Sequence, residues 1–320
     1  MLSNNKLSLL QQQRIQKCAK NTDSYKFFNL LTSPELLETV EELLPEHRER
    51  LYPPTETLSM FLAQALSEDR SCQKAVNDAV IQRMATGLPA MNTTTGGYCR
   101  ARQRLPLAMV SELLCRTGEL INDQIPTQWR WHGKRVHLID GTTVTMPDTA
   151  ENQAAYPQQG GQKPGLGFPI CRLVGVICLS SGAVLNASIG RFKGKGSDEQ
   201  SLLRNIISTF DTGDLVLGDA FYGTYFLLAT LREKGVDAVF EQMGARKRVT
   251  DFRKGKQLGA KDHLVELVKP KKKPDWMAQE YYDSVPGTLV IRELKITGKV
   301  LITTLLSAKD VSKPELKALY

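Results

Sequence analysis

Val136-His137-Leu138-Ile139-Asp140-Gly141-Thr142-Thr143-Val144 is a run of apolar and β-branched residues with a single carboxylate set inside it. The β-branched content of Val136–Met146 predicts a strand. An aspartate is disfavoured within a strand unless its charge is compensated, so Asp140 is expected to meet something cationic. Downstream, Ile170–Leu179 is a continuous apolar run, and Gly182–Phe192 alternates after the turn signal Ser180-Ser181-Gly182, which predicts a hairpin. Leu202, Leu203, Ile206, Ile207 and Phe210 then mark an amphipathic helix whose first turn, Ser197-Asp198-Glu199-Gln200, carries capping residues. A strand over Leu215–Gly218, a helix over Tyr225–Lys234 stopped by Gly235, and a strand over Val236–Phe240 compose a βαβ unit.

Asp219 ends the strand Leu215–Gly218, at the carboxyl edge where open α/β sheets place their ligands. If the strands of Asp140 and Asp219 are neighbours, the two carboxylates converge and need a counter-ion, which Mg²⁺ supplies as a hard cation that prefers carboxylate oxygens. Asp140-Gly141 also fits a turn, and Asp219 also fits the cap of the helix that follows. His137 reads as a packing residue rather than a ligand. Further on, strands are expected over Thr288–Ile296 and Lys299–Leu306, and Ser312-Lys313-Pro314-Glu315 opens a last helix.

Upstream, residues 1–130 read as a helical domain. Leu36, Leu37, Val40, Leu43 and Leu44 keep helical spacing, as do Leu58, Phe61, Leu62, Ala65 and Leu66, and then Val110, Leu113, Leu114, Leu120 and Ile121. The fold class is therefore α/β, a mixed sheet with helices behind a helical N-terminal domain. The core covers 131–243, an insertion with β structure covers 244–287, and 288–320 carries the closing strands and the start of a helix.

The 320 residues are 41% apolar and can bury a real core. The longest apolar runs, Leu173–Leu179 and Val300–Leu306, fall short of the roughly 18 residues of a membrane span. Met1-Leu2-Ser3-Asn4-Asn5-Lys6 leads into Gln11-Gln12-Gln13 without an apolar signal region, so a cytoplasmic location is expected. The six cysteines are scattered, with no pair at zinc spacing.

The net charge is +8. Between Gly244 and Pro274 stand eleven basic residues, Arg246, Lys247, Arg248, Arg253, Lys254 and Lys256 among them, against three acidic ones, so this segment alone carries the excess of the whole chain. A polyanion is the natural partner, although a solvated loop has the same composition. Arg100, Arg102 and Arg104, beside Thr93-Thr94-Thr95-Gly96-Gly97, form a second basic cluster that suits phosphate contacts or an ordinary exposed helix start. Trp276 and Tyr281-Tyr282 suit base stacking or the anchoring of the insertion.

Several strings together resemble the DDE transposases of bacterial insertion sequences, in the insertion-sequence-four branch. They are His137-Leu138-Ile139-Asp140-Gly141-Thr142, Asp148-Thr149-Ala150-Glu151-Asn152-Gln153, Gln162-Lys163-Pro164-Gly165-Leu166-Gly167-Phe168-Pro169, Gly218-Asp219-Ala220-Phe221-Tyr222, Gly235-Val236-Asp237-Ala238-Val239-Phe240, and Asp251-Phe252-Arg253-Lys254-Gly255 with Leu258-Gly259. The match runs in order from about Thr57 to Tyr320. The resemblance implies a ribonuclease-H-like core with a β-rich insertion, and a helical N-terminal domain that helps bind the ends of the element. Asp140 matches the first catalytic acid and Asp219 the second, holding Mg²⁺, with Mn²⁺ able to substitute. The implied partner is double-stranded DNA, both element ends and target, engaged by a homodimer on paired ends.

The third acid of that family is a glutamate in a pattern Y-x2-R-x3-E-x6-K. Lys317-Ala318-Leu319-Tyr320 resembles the approach to it, with Tyr320 as its tyrosine, so the matching glutamate falls outside these residues. The resemblance thus implies a truncated transposase that is inactive by itself. Glu199 and Glu241 lie on no segment matching the third motif and are not assigned. A DNA-binding remnant without catalysis is the alternative reading, and a nuclease of the same core without strand transfer is a third.

Overall fold

A computed structural model describes residues 42–44, 51–163, 165–244 and 250–320. It divides into two compact units, Met1–Thr117 and Gly118–Tyr320. The expected helix around Leu36, Leu37 and Val40 lies outside the described residues.

In the first unit, α1 (Pro54–Leu66) starts on a proline pair, and α2 (Cys72–Ala85) is capped by Ser71, whose side chain accepts from the Lys74 amide. α3 (Gly96–Gln103) follows, and α4 (Leu107–Asp123) continues into the second unit. Met60, Val76, Ala79 and Tyr98 form the buried centre of this unit. No described helix is long and apolar enough to cross a membrane.

The second unit is built on one sheet of nine strands in the order β3-β2-β1-β4-β5-β9-β8-β7-β6. β1 (Val136–Thr145), β2 (Ile170–Cys178) and β3 (Val184–Arg191) are antiparallel neighbours, the hairpin turn between the last two using Gly182 at φ 73°. β4 (Leu215–Gly218) lies parallel to β1, and β5 (Asp237–Glu241) lies parallel to β4. Antiparallel pairing joins β9 (Lys299–Thr303) to β5, then β8 (Thr288–Ile296), β7 (Asp262–Val268) and β6 (Lys256–Gly259). This mixed sheet with its helices is the ribonuclease-H-like fold expected from the strings above. The strands of the basic insertion do not form a sheet of their own, because β7 pairs along the length of β8 and so extends the core sheet.

The sheet is buried on both faces, and strand alternation divides the side chains between them. Ile139, Val216, Ala238 and Phe240 face one core. There they meet Leu202 and Leu203 of α6 (Glu199–Asn205), and Phe226 and Leu228 of α7 (Tyr225–Glu233). Val136, Leu215, Leu217, Val239 and Leu301 face the other, with Leu316 of α9 (Lys313–Leu319). Two shorter helices, α5 (Ala150–Ala155) and α8 (Gln279–Ser284), lie in the connections.

The last helix carries a complete capping box: the Ser312 side chain accepts from the Glu315 amide while the Glu315 carboxylate accepts from the Ser312 amide at 2.7 Å. Ser312→Ala is therefore expected to lower stability by about 1 kcal/mol. Urea unfolding of the variant checks this, and an unchanged midpoint would refute it.

Candidate active site

Asp140 is the fifth residue of β1 and is exposed. Its Oδ1 accepts a hydrogen bond from the Gly141 amide at 2.8 Å. Asp219 follows the last residue of β4, is also exposed, and its Oδ1 accepts from the Phe221 amide at 2.8 Å. The parallel register pairs Val136 with Leu215, His137 with Val216 and Leu138 with Leu217, and carried two residues further it sets Asp140 level with Asp219. The two strands are thus the neighbours that convergence of the carboxylates requires.

Both aspartates belong to one face. Ile139 packs in the first core, so Asp140, next along the strand, falls on the opposite side with Leu138. A Cβ added to Gly218 would meet Ile139 at 2.9 Å and Tyr222 at 2.9 Å, which puts Gly218 on the first-core face and Asp219 on the other. Among the described residues neither carboxylate pairs with a basic side chain, so the cationic partner expected for Asp140 is not met there, and each carboxylate accepts from a backbone amide instead. One oxygen of each is tied to an amide. Two unneutralised carboxylates side by side fit a hard divalent cation. Among the described residues no group of three or more His, Cys, Asp or Glu is set to hold a metal.

Tyr222, fully buried, sits beneath the pair and donates to Glu199 Oε2 at 3.3 Å. Burial first, then the charges of Glu199, Asp219 and Asp140, push its pKa up, so the hydroxyl stays protonated. Tyr320 closes the other side: its hydroxyl donates to the Gly218 carbonyl at 3.3 Å, and the Lys299 ammonium lies 5.3 Å from the centre of its ring. Burial, with Glu241 and Asp219 nearby, pushes the Tyr320 hydroxyl up to about 12. Glu241 itself pairs with Lys299 at 3.2 Å. His137 is buried and packs as expected, with Nε2 3.0 Å from Asp214, which also pairs with Arg135.

The basic candidates divide. Arg100 and Arg104 are exposed on α3 and its C-cap, whereas Arg102 is half-buried. The Arg102 guanidinium donates to Gln64 Oε1 at 3.3 Å and lies 4.4 Å from the centre of the Phe61 ring. Lys254 and Lys256 are exposed, and Arg253 is exposed while paired with Asp251 at 2.8 Å. Arg246, Lys247 and Arg248 lie outside the described residues.

The turn carrying Arg253 and Lys254 is anchored from below. His263 Nδ1 contacts the Lys254 carbonyl at 2.6 Å, and its Nε2 lies 3.2 Å from Glu293. Gln242 donates to Glu293 at 2.7 Å and accepts from Thr250 at 2.7 Å. Trp276 is held by the Arg204 guanidinium, 3.9 Å from its ring centre, and edge-on by Phe226, while Tyr281 and Tyr282 hydrogen-bond to Glu233 and the Pro270 carbonyl. These contacts are those of anchors.

Sequence reasoning did not find the supports of the site, Tyr222 and Gly141 among them. A glycine inside a strand is the one signal available, since it often marks close approach of another group.

Residues 131–320 match the family model described as the transposase DDE domain. Among curated proteins, the transposase InsG for insertion sequence element IS4 of Escherichia coli (strain K12) is 28% identical over 248 residues, which cover 75% of this chain and 53% of that protein. The chain thus spans about half the length of the curated relative it matches.

Proposed function

The chain belongs to the transposase DDE domain family, and on that premise we propose that it acts on double-stranded DNA, with Asp140 and Asp219 holding the divalent cation used in phosphoryl transfer. The observation that carries this reading is a pair of exposed carboxylates, one on β1 and one just after the parallel, adjacent β4, neither paired with a basic side chain among the described residues. Bound there, Mg²⁺, with Mn²⁺ able to substitute, supplies an activated oxygen nucleophile and stabilises the leaving oxygen. The aspartates act by placing the ion and do not take protons. Their backbone-tied oxygens fix each carboxylate's orientation through Gly141 and Phe221.

The reaction supported best is cleavage at the ends of an insertion sequence and joining of the freed 3′-hydroxyl to a target phosphodiester. Water is the first nucleophile and the DNA hydroxyl the second, with no covalent protein intermediate. A homodimer on paired ends completes the proposed arrangement. Exposed Lys254 and Lys256, with Arg253, supply phosphate contacts in one unit, and Arg100 and Arg104 supply them in the other. Arg246, Lys247 and Arg248 continue the first set along the chain. Arg102, turned into its own unit, contributes by holding α3.

Binding to a duplex should weaken steeply with salt, and Lys254→Gln with Lys256→Gln should flatten the log–log slope by about 1.8, that is about 0.9 for each phosphate no longer neutralised. Fluorescence anisotropy across a salt series measures this, and a slope unchanged by the double substitution would remove these lysines from the interface. The catalytic reading is tested with a labelled duplex carrying an element end. Mg²⁺-dependent cutting followed by joined products supports it, and cutting that survives a chelator overturns it. Cutting without joining marks a nuclease. Binding without cutting leaves a DNA-binding role only.

A further inference from the structure

Glu199 lies across the sheet from Asp140 and Asp219, yet it touches Gly141, next to Asp140, and the hydroxyl of Tyr222, three residues after Asp219. A Cβ on Gly141 would fall 2.2 Å from Glu199 Cδ and 2.6 Å from Oε1, so the carboxylate rests against the residue that follows Asp140. Only glycine leaves that space. The other carboxylate oxygen accepts from Tyr222, whose own amide donates to the Asp219 carbonyl at 3.3 Å. Gln200 repeats the grip one residue on: its Nε2 donates to the Phe221 carbonyl, and its Oε1 accepts from Thr224 Oγ1 at 2.9 Å. The dipeptide is itself fixed, because Asp198 caps α6 by accepting from the Ser201 amide at 3.0 Å, and Leu202 and Leu203 are buried behind it.

Gly141 points toward the first core and Asp140 away from it, so Glu199 meets the strand from the side opposite the paired aspartates. That placement suits a support rather than a ligand. We propose that Glu199 is a positioning residue that braces the Asp140-Gly141 and Asp219–Tyr222 segments from behind the sheet and so sets the separation of the two aspartates that receive a divalent cation. The proposal rests on the reading of Asp140 and Asp219 as the cation-holding pair.

The test is Mn²⁺ binding to the full chain, followed by electron paramagnetic resonance, with circular dichroism to confirm folding. Loss of an outer support typically weakens metal binding about 10- to 100-fold. Glu199→Ala should therefore raise the Mn²⁺ dissociation constant at least about tenfold. Glu199→Gln keeps the length and an oxygen acceptor for Tyr222, and should stay close to the parent value. If Glu199→Ala does not fold, Tyr222→Phe removes the same hydrogen bond and should weaken binding in the same direction.

Equal loss in the Gln and Ala variants would overturn the proposal in favour of direct ligation by the carboxylate. Unchanged binding in Glu199→Ala, or in Tyr222→Phe where that variant stands in, would overturn it while Asp140→Asn still abolishes binding. Mn²⁺ binding indifferent to Asp140→Asn would instead show that the underlying site reading had failed, and the brace with it.

Discussion

Asp140→Asn and Asp219→Asn are each expected to reduce Mg²⁺-dependent strand cleavage by about 10³-fold or more. On the proposed reading the carboxylate is the group that places the ion, and ion placement contributes several kcal/mol of transition-state stabilisation. About 4 kcal/mol corresponds to about 10³ in rate. Asparagine keeps the side-chain shape and an oxygen for the Gly141 or Phe221 amide, so the fold should be retained. The sign of the effect on DNA binding makes the test specific. Each substitution removes a negative charge beside the phosphate path, so affinity for duplex should hold or rise while cutting disappears. Cleavage that survives in either variant would sink the assignment, and parallel loss of binding and cutting would mark a folding defect.

Arg292→Ala is expected to destabilise the second unit by about 3–5 kcal/mol. Arg292 is 0% exposed, its Nε and Nη2 donate to the two oxygens of Asp262 at 2.8 and 2.6 Å, and its Nη1 donates to the Val311 carbonyl at 2.7 Å. Truncation leaves Asp262, only 3% exposed, as an unpaired buried charge, and leaves the carbonyl just before the capped helix α9 without its donor. Breaking one partner is much more damaging than replacing both, since a buried pair must first offset its own desolvation. The double variant Arg292→Met with Asp262→Leu should therefore recover most of the loss. Urea unfolding of the single and double variants measures this, and a loss below about 1 kcal/mol for Arg292→Ala would refute the account.

How far the sequence could be read depended on whether the signal was local. β1, β2, β4 and β8 begin on the expected residues because stretches dominated by β-branched and apolar residues have few alternatives to a buried strand. α2 escaped notice: its buried residues are only Ala75, Val76 and Ala79, while the larger apolar side chains Ile81 and Met84 are exposed, so no apolar stripe marks the helix. α3 begins on Gly96-Gly97, which reads as loop. The two aspartates stood out because a charge in or at the end of an apolar strand is conspicuous. Glu199 did not, since it has the appearance of an ordinary first-turn acid and its contacts come from Gly141 and Tyr222, brought near only by the packing of α6 on the sheet. Asp262 and Arg292 were equally hidden, because cross-strand pairing of β7 with β8 is what sets them together.

Because β6 to β9 extend the core sheet, the molecule contains a ruler. Six strand-to-strand steps separate β1, with Asp140, from β6, with Lys256. At about 4.8 Å a step they span about 29 Å across the strands. Duplex DNA advances about 3.4 Å per base pair, so that span corresponds to about eight or nine base pairs. For a duplex lying across the strands from β1 to the β6 edge, the offset that the proposed reading sets between the cut phosphate and the outer backbone contact is counted in strands. Adding or removing one strand step would move it by between one and two base pairs.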